Sequence, residues 1–228
     1  MENSINKFFP TPVLSVDTNC SQKVRVGMLQ YAADLIADNT KCSESGAIIG
    51  LSSEKNRYKH VCIHKLPEFQ WLNNQIGMYC KEYLQRIGVD PDECNVYAQK
   101  SWAVIKKEGG FAVKEHDHIG AVLSAVYYVE AQPQDPPIVF VNPKQLLQEL
   151  PLHTDIQTED NHQYMAQDSM TGKLLIFPAN LKHFVPGVGP VQGERISVSY
   201  DLMVTNKEDS SSMFMGNRIL DPVHWSLI

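Results

Sequence analysis

Two histidines flank an aspartate in the segment EHDHIGAVLSAVYYVEA, which spans residues 115–131. In an extended segment alternate side chains share a face, so His116 and His118 would point one way and Asp117 the other. This is the spacing with which one strand can offer two ligands to a metal ion. A short His/Asp cluster near a turn can equally be solvated surface, so a metal site requires a third ligand.

His183 is the candidate for the third ligand. It lies in GKLLIFPANLKHFVPG (172–187), where an apolar segment typical of a strand precedes a proline-bounded turn that presents one imidazole. The alternative for this residue is a surface histidine beside Phe184. With the two histidines of the first segment, His183 would complete a three-imidazole site.

A further segment, RISVSYD (195–201), divides its residues between two faces. Arg195, Ser197 and Ser199 fall on one face, and the apolar face, which we expect to pack on a core, consists of Ile196, Val198 and Tyr200. An arginine that faces a cavity requires an anion, because burying an unpaired guanidinium is costly. Its planar fork suits a carboxylate.

The elements that would position these residues are two helices followed by a β-rich region. Apolar residues at helical spacing predict helices over 21–38, with Ser21 as the cap, and over about 68–87, with Gly88 just after the end. Segments rich in Val, Ile and aromatic residues predict strands over 96–105, 121–129, 138–141, 174–177 and 195–204. Strands without alternating helices indicate an antiparallel sandwich or barrel.

Composition limits the possible functions. The chain has 228 residues, and its 20 Lys and Arg against 26 Asp and Glu give a formal charge of −6, with no basic stripe for nucleic acid. No leader-like or membrane-spanning apolar run is present, so we expect a soluble, cytoplasmic protein without a membrane partner. The five cysteines are never spaced as CxxC, which favours reduced thiols over a cysteine zinc site.

We expect one catalytic domain over residues 1–204. The polar stretch 142–171 is longer than a hairpin needs and is a candidate lid or substrate loop. Residues 205–228 form a tail that begins with a linker-like NKEDSSS and ends with ILDPVHWSLI. We expect the apolar end to dock on its own domain or on a second copy, which would give a homodimer.

Taken in order, these motifs resemble the non-haem iron(II), 2-oxoglutarate-dependent oxygenase superfamily. The similar segments are HDH, LSAVYYV (123–129), GKLLIFPANLKHFV and RISVSYD. They are most similar to the prolyl-hydroxylase-like branch and to bacterial and phage oxygenases with H-x-H-P, S-G-V-Y-Y, F-P-S-x-L-x-H and R-I-S-I-S-F. FFPTPV (8–13) and SWAVIKKEGGF (101–111) are also similar, so the resemblance covers nearly all of the chain before residue 205.

The resemblance implies a mainly β fold, a double-stranded β-helix or jelly-roll barrel, with the two helices against it. It implies iron(II) ligands at His116, His118 and His183, and it makes Arg195 the partner of the distal carboxylate of 2-oxoglutarate. Tyr128, Ser124 and Ser197 would line the cosubstrate pocket, although Tyr128 could equally be an ordinary core tyrosine. The implied reaction hydroxylates a small-molecule or peptide substrate and releases succinate and CO2; the substrate itself is not indicated.

The chain departs from the family pattern at two places. The usual facial triad has a carboxylate where this chain has His118, and the family's SGVYY is SAVYY here. Three neutral imidazoles leave the centre about one charge unit more positive, which favours a dianionic cosubstrate. If the segment is a loop rather than a strand, Asp117 could replace His118 as a ligand.

Two other readings of the sequence remain open. A cupin-like barrel could bind metal through three histidines and act as a dioxygenase or isomerase without 2-oxoglutarate. A jelly-roll binding or capsid-type module could retain a degenerate pocket. Arg195 separates the first of these from the oxygenases, because that chemistry needs no carboxylate anchor.

Overall fold

The computed structural model describes residues 9–38, 47–49, 61–107, 112–144, 158, 161–187, 193–207 and 219–226. Within these ranges the chain forms two α-helices, α1 (Gln22–Asp38) and α2 (Gln70–Arg86). It also forms ten strands: β1 (Leu14–Asp17), β2 (Ala47–Ile49), β3 (Cys94–Lys107), β4 (Val113–His116), β5 (Leu123–Glu130), β6 (Ile138–Val141), β7 (Tyr164–Gln167), β8 (Lys173–Pro178), β9 (His183–Val185) and β10 (Glu194–Asn206).

The strands form two antiparallel sheets. The larger sheet has the order β1-β8-β5-β10-β3-β2, and the smaller has the order β4-β9-β6-β7. Every strand pair in both sheets is antiparallel, and consecutive strands alternate between the sheets along much of the chain. This is the mainly β, double-stranded β-helix arrangement with flanking helices that the sequence predicted.

Two apolar cores lie on opposite faces of the larger sheet. The helix side of β5 and β10 contributes alternate residues such as Tyr127 and Val198, which pack with Leu35 of α1 and Leu72 of α2. The other face of the sheet packs a smaller core against the second sheet, with Val126, Tyr128, Ile138, Phe140, Leu175, Phe177 and Leu181. The helices therefore brace the back of the sheet and leave its front free to form an interior pocket.

The helix ends agree with the sequence prediction. Ser21 Oγ accepts a hydrogen bond from the Val24 backbone N–H at 3.4 Å, as a cap does. Gly88 follows α2 with a φ of +84°, a left-handed conformation that glycine adopts without steric cost. None of the described helices combines the length and the apolar character that crossing a bilayer requires.

The strand prediction was incomplete. The five predicted strands are present as β3, β5, β6, β8 and β10, whereas the short strands β1, β2, β4, β7 and β9 are not among the predicted ranges. Strand β7 lies inside the stretch 142–171, so the end of this candidate lid is part of the smaller sheet. Much of the rest of that stretch, 145–157 and 159–160, lies outside the described residues, as do 208–218 of the tail.

The expectation that His116 and His118 share one strand was wrong. Strand β4 ends at His116, and His118 lies in the turn that follows, where its backbone N–H donates to Ala179 O at 2.9 Å. The two side chains nevertheless converge, with ring centroids 5.1 Å apart.

Candidate metal and anion site

A cavity of about 450 Å³ opens between the two sheets. The larger sheet supplies one wall through β3, β5 and β10, and the smaller sheet supplies the other through β4, β6 and β9. The polar and charged residues that line it are Lys100, Lys114, Glu115, His116, Asp117, His118, Tyr128, His183, Arg195, Ser197, Ser199 and Asp201. The three sequence-predicted histidines and Arg195 therefore share one cavity.

The three histidines form a cluster at one end of this cavity. One ring nitrogen from each of His116, His118 and His183 lies within 4.8 Å of the others. The Nε2 atoms of His118 and His183 are 3.3 Å apart, and the ring centroids of His116 and His183 are 4.4 Å apart. Three imidazole nitrogens that converge in this way suit a first-row transition metal such as iron.

Each histidine of the cluster has an acceptor beside its Nδ1 atom. His116 Nδ1 lies 2.7 Å from Lys114 O, and His183 Nδ1 lies 2.9 Å from Leu181 O. His118 Nδ1 lies 2.7 Å from Asp201 Oδ1. These acceptors favour the tautomer with a proton on Nδ1, which leaves the Nε2 lone pair of each ring free for a metal. The donor set therefore fits a metal ion.

Burial keeps two of these imidazoles neutral. It lowers the pKa of His183 to about 4, and it also lowers the pKa of His116. Burial raises the pKa of Asp201, but hydrogen bonds from His118 and Lys100 outweigh this effect and hold it below the usual value. The cluster thus combines neutral imidazoles, the form that binds metals, with a charged carboxylate behind them.

Arg195 lies at the other end of the cavity and is only 2% exposed. Its Nε donates to Ser169 Oγ at 3.0 Å, and its guanidinium carbon lies 5.0 Å from the centre of the Tyr128 ring. Within the described residues no carboxylate pairs with this guanidinium. The buried Tyr128 hydroxyl likewise has no hydrogen-bond partner in that part of the chain. An arginine and an unsatisfied hydroxyl side by side fit the carboxylate of a bound dicarboxylate.

A second buried cation adds to the positive charge at this end. Lys106 is 2% exposed, lies directly across from Arg195 in the β3–β10 pairing, and donates to Pro186 O at 2.7 Å. Burial and the charge of Arg195 lower the pKa of Lys106, whereas Asp135 acts in the opposite direction. Arg195 and Lys106 are two cations against the single carboxylate of Asp135, so this region suits an anionic ligand.

The remaining predicted residues differ in position. Ser197 lines the cavity, as does Asp117, which is outside the cluster of converging nitrogens. Ser124 lies on the same face of β5 as Tyr128, but it is not part of the cavity wall, and its buried Oγ has no partner among the described residues. The structure therefore brings Ser197 and Tyr128 to the cavity and leaves Ser124 behind it.

Asp201, Lys100 and Trp102, which line the cavity beside His118, were missed from the sequence. Asp201 follows Arg195, Ser197 and Ser199 at the same two-residue spacing, so alternation along β10 could have found it. Lys100 and Trp102 lie directly across from Asp201 and Ser199 on β3. Their signal was weak, because pairing of β3 with β10 cannot be read from the sequence alone.

A jelly-roll barrel with a histidine cluster and a buried arginine in one cavity resembles the 2-oxoglutarate–iron oxygenases. More particularly, residues 100–201 match the family described as "Putative 2OG-Fe(II) oxygenase". This stretch contains all three histidines, Tyr128 and Arg195. The resemblance that the sequence motifs indicated is thereby confirmed. No curated protein sequence gives a match.

Solved structures support the fold. The carbocyclase SnoK of nogalamycin biosynthesis, described as non-heme and alpha-ketoglutarate dependent, has a TM-score of 0.57 at 10% identity, covering 86% of this chain and 82% of SnoK. A Trichoplax adhaerens prolyl hydroxylase in complex with a hypoxia inducible factor peptide has a TM-score of 0.52 at 11% identity, covering 84% and 83%. HygX from Streptomyces hygroscopicus, with nickel, 2-oxoglutarate and hygromycin B bound, has a TM-score of 0.50 at 10% identity, covering 85% and 83%. At these identities the likeness concerns the fold alone.

Proposed function

We propose that the chain is an Fe(II)- and 2-oxoglutarate-dependent dioxygenase that hydroxylates a small-molecule or peptide substrate. With both groups bound, O2 and 2-oxoglutarate are consumed, one oxygen atom enters a substrate C–H bond, and succinate and CO2 leave. The matched family is named for this pair of groups, and HygX is a structural neighbour described with 2-oxoglutarate and a metal.

The observation that carries this proposal is the buried Arg195 in the same cavity as the three histidines. A histidine cluster by itself would suit a metal barrel that acts without 2-oxoglutarate. A buried guanidinium without a carboxylate partner in the described residues adds a requirement for an anionic ligand. A dicarboxylate meets both requirements, because one end can approach the histidines while the other reaches the arginine.

Each residue then has a defined task. His116, His118 and His183 would hold the metal through Nε2, with their Nδ1 protons held by protein acceptors. Arg195 and the Tyr128 hydroxyl would bind the distal carboxylate, and Ser197 lies between them and the histidines on the same face of β10. The apolar side chains of Val126, Ile138 and Val185 line the cavity and exclude water from the reacting groups.

The test is Arg195→Met, which keeps much of the stem volume and removes the guanidinium. Truncating one member of a desolvated charge pair costs about 2–5 kcal/mol, a weakening of 2-oxoglutarate binding of roughly thirty-fold to several thousand-fold. Iron(II) affinity should survive, because the arginine is not a ligand. Affinities for both groups and succinate formation are to be measured in the parent and the variant.

Arg25→Met is the matched control, because Arg25 lies on α1 and pairs with Glu130 away from the cavity. This control should bind 2-oxoglutarate as the parent does. A parent that binds iron(II) but neither binds 2-oxoglutarate nor forms succinate would favour the cupin-like three-histidine alternative. An unchanged affinity in Arg195→Met would remove Arg195 from the cosubstrate site.

A further inference from the structure

We propose that Asp201 is a positioning residue for the metal site, acting through His118. The chain lacks a carboxylate at the ligand position where the family pattern has one, yet a buried carboxylate lies directly behind the histidine that replaces it. This inference rests on the proposed function, because it takes the three histidines as the metal ligands.

The carboxylate of Asp201 is deeply buried and has a nitrogen atom close to each of its oxygens. Asp201 is 1% exposed, its Oδ1 lies 2.7 Å from His118 Nδ1, and its Oδ2 lies 2.8 Å from Lys100 Nζ. A buried carboxylate is stable only when such partners satisfy it. Lys100 faces Asp201 directly across the β3–β10 pairing, so the backbone register fixes this ion pair.

His118 depends on this carboxylate more than the other two ligands depend on their acceptors. His116 and His183 lie on strands, and backbone carbonyls two residues before them accept from their Nδ1 atoms. His118 lies beyond the end of β4, so Asp201 comes from a different element to hold its ring. The Trp102 ring stacks on the same imidazole, with centroids 5.6 Å apart and planes inclined by 30°. Asp201 and Trp102 together fix the direction of His118 Nε2.

A carboxylate partner also changes the ligand chemically. An imidazole whose Nδ1 proton is held by a carboxylate is a more basic ligand than one held by a carbonyl. The negative charge missing from the ligand set is therefore present one hydrogen bond away from the metal. His118 and Asp201 together occupy the role that a single aspartate has in the family pattern.

The first test is Asp201→Asn, measured by binding of Co(II) and Fe(II) to the full chain. Removing a carboxylate that orients a histidine ligand typically weakens metal binding by about 10–100-fold. We expect a loss in this range, together with a shifted visible absorption spectrum of the Co(II)-saturated variant. Asp135→Asn is the matched control, since Asp135 is also buried but its carboxylate accepts from Gln132 N instead of a histidine. The control should keep both the affinity and the spectrum of the parent.

The second test repeats Asp201→Asn in a His118→Asp background. In that background the side chain at this position has no Nδ1 for Asp201 to hold. The same Asp201→Asn change should then weaken metal binding much less than it does in the parent. A folding defect caused by Asp201→Asn would weaken binding equally in both backgrounds, so the difference between the two backgrounds separates positioning from mere structural support.

The outcomes distinguish the two proposals. A parent that binds no Co(II), or whose Co(II) affinity is unaffected by His116→Ala, would overturn the metal site and with it the proposed function. A parent that binds Co(II) through the histidines, with an Asp201→Asn variant of unchanged affinity and spectrum, would overturn only the role of Asp201. An Asp201→Asn effect of the same size in both backgrounds would overturn it as well.

Discussion

At the scale of single residues, protein contacts alone determine how the three imidazoles point. Each Nδ1 has its own acceptor, and the acceptors come from a strand, a turn and the opposite sheet. Because these contacts involve no metal, the ring orientations are set by folding. Preorganised ligands of this kind lose little conformational freedom when a metal binds.

Replacing either strand-borne histidine should remove the metal. His116→Ala and His183→Ala each leave two ligands, and we expect iron(II) binding to be lost at protein concentrations where the parent is saturated. Asp117→Ala is the control, because Asp117 lines the cavity but is not part of the converging cluster. Loss of iron in Asp117→Ala, with retention in His118→Ala, would contradict this ligand set.

The buried His183 should make the stability of the metal-free protein depend on pH. Its folded pKa is about 4 against 6.5 for an exposed imidazole, so the unfolded chain binds the proton first as the pH falls. The free energy of unfolding should therefore decrease by roughly 3 kcal/mol between pH 6.5 and pH 4 on account of this residue. Denaturant titrations of the parent and His183→Gln across that range measure it. Parallel pH dependences in the two proteins would contradict the assignment.

The sequence singled out four residues that line one cavity, but it missed the charges around them. His116, His118, His183 and Arg195 were found because their residue types are unusual beside apolar strands. Asp201 was missed although it continues the alternation of Arg195, Ser197 and Ser199, because alternation alone does not distinguish a buried carboxylate near the end of a strand from a solvated one. The Asp201–Lys100 pair depends on strand register, which alternation within one strand cannot supply.

At the scale of elements, length and burial decided what the sequence could predict. Strands β3, β5 and β10 have 14, 8 and 13 residues, and their β-branched and aromatic content is a strong signal. Strands β7 and β9 have only 4 and 3 residues, and β7 is largely exposed. Such short segments form strands because neighbouring strands pair with them, which is information that their own sequence does not contain.

The turn before β8 gives a test at this scale. Gly172 has a φ of +87°, its carbonyl accepts from Thr18 N and Thr18 Oγ1, and a Cβ there would lie 3.1 Å from Thr18 O. Gly172→Ala should therefore destabilise the protein by about 1–2 kcal/mol. Gly77→Ala, in α2 with open space around it, should instead stabilise by about 1 kcal/mol. Chemical denaturation measures both; a Gly172→Ala variant as stable as the parent would contradict the strained-turn assignment.

At the scale of the whole molecule, the described end of the tail returns to the barrel. Asn206 N donates to Ile219 O at 3.1 Å, and the Asp221 carboxylate accepts from Asn95 Nδ2 at 2.9 Å and from the Tyr97 hydroxyl. These contacts place residues 219–226 beside the start of β3. Several apolar side chains there stay exposed, among them Leu220, Val223 and Trp225.

Asp221→Ala should release this end of the tail, because it removes the acceptor for two side chains of β3. We expect faster hydrogen exchange and faster proteolysis over 219–226, with unchanged exchange in β5.

The homodimer expected from the sequence is a separate prediction, tested by the molar mass of the parent and of Trp225→Ser in light scattering. A monomeric parent across the concentration range would remove the tail from any role in self-association.

Strand β10 is regularly paired on both sides only between Ser197 and Asp201, with a register shift against β5 just before this stretch and one against β3 just after it. Asp201 is the last residue of that stretch, and Arg195 lies two residues before its first residue, so the two cavity side chains share one face of β10. Losing or gaining one residue between them would turn one of the two side chains toward the helices and leave the other in the cavity. Substitutions in this strand therefore preserve its two faces. An insertion or deletion preserves them only if it adds or removes two residues, or if one of the two register shifts absorbs it.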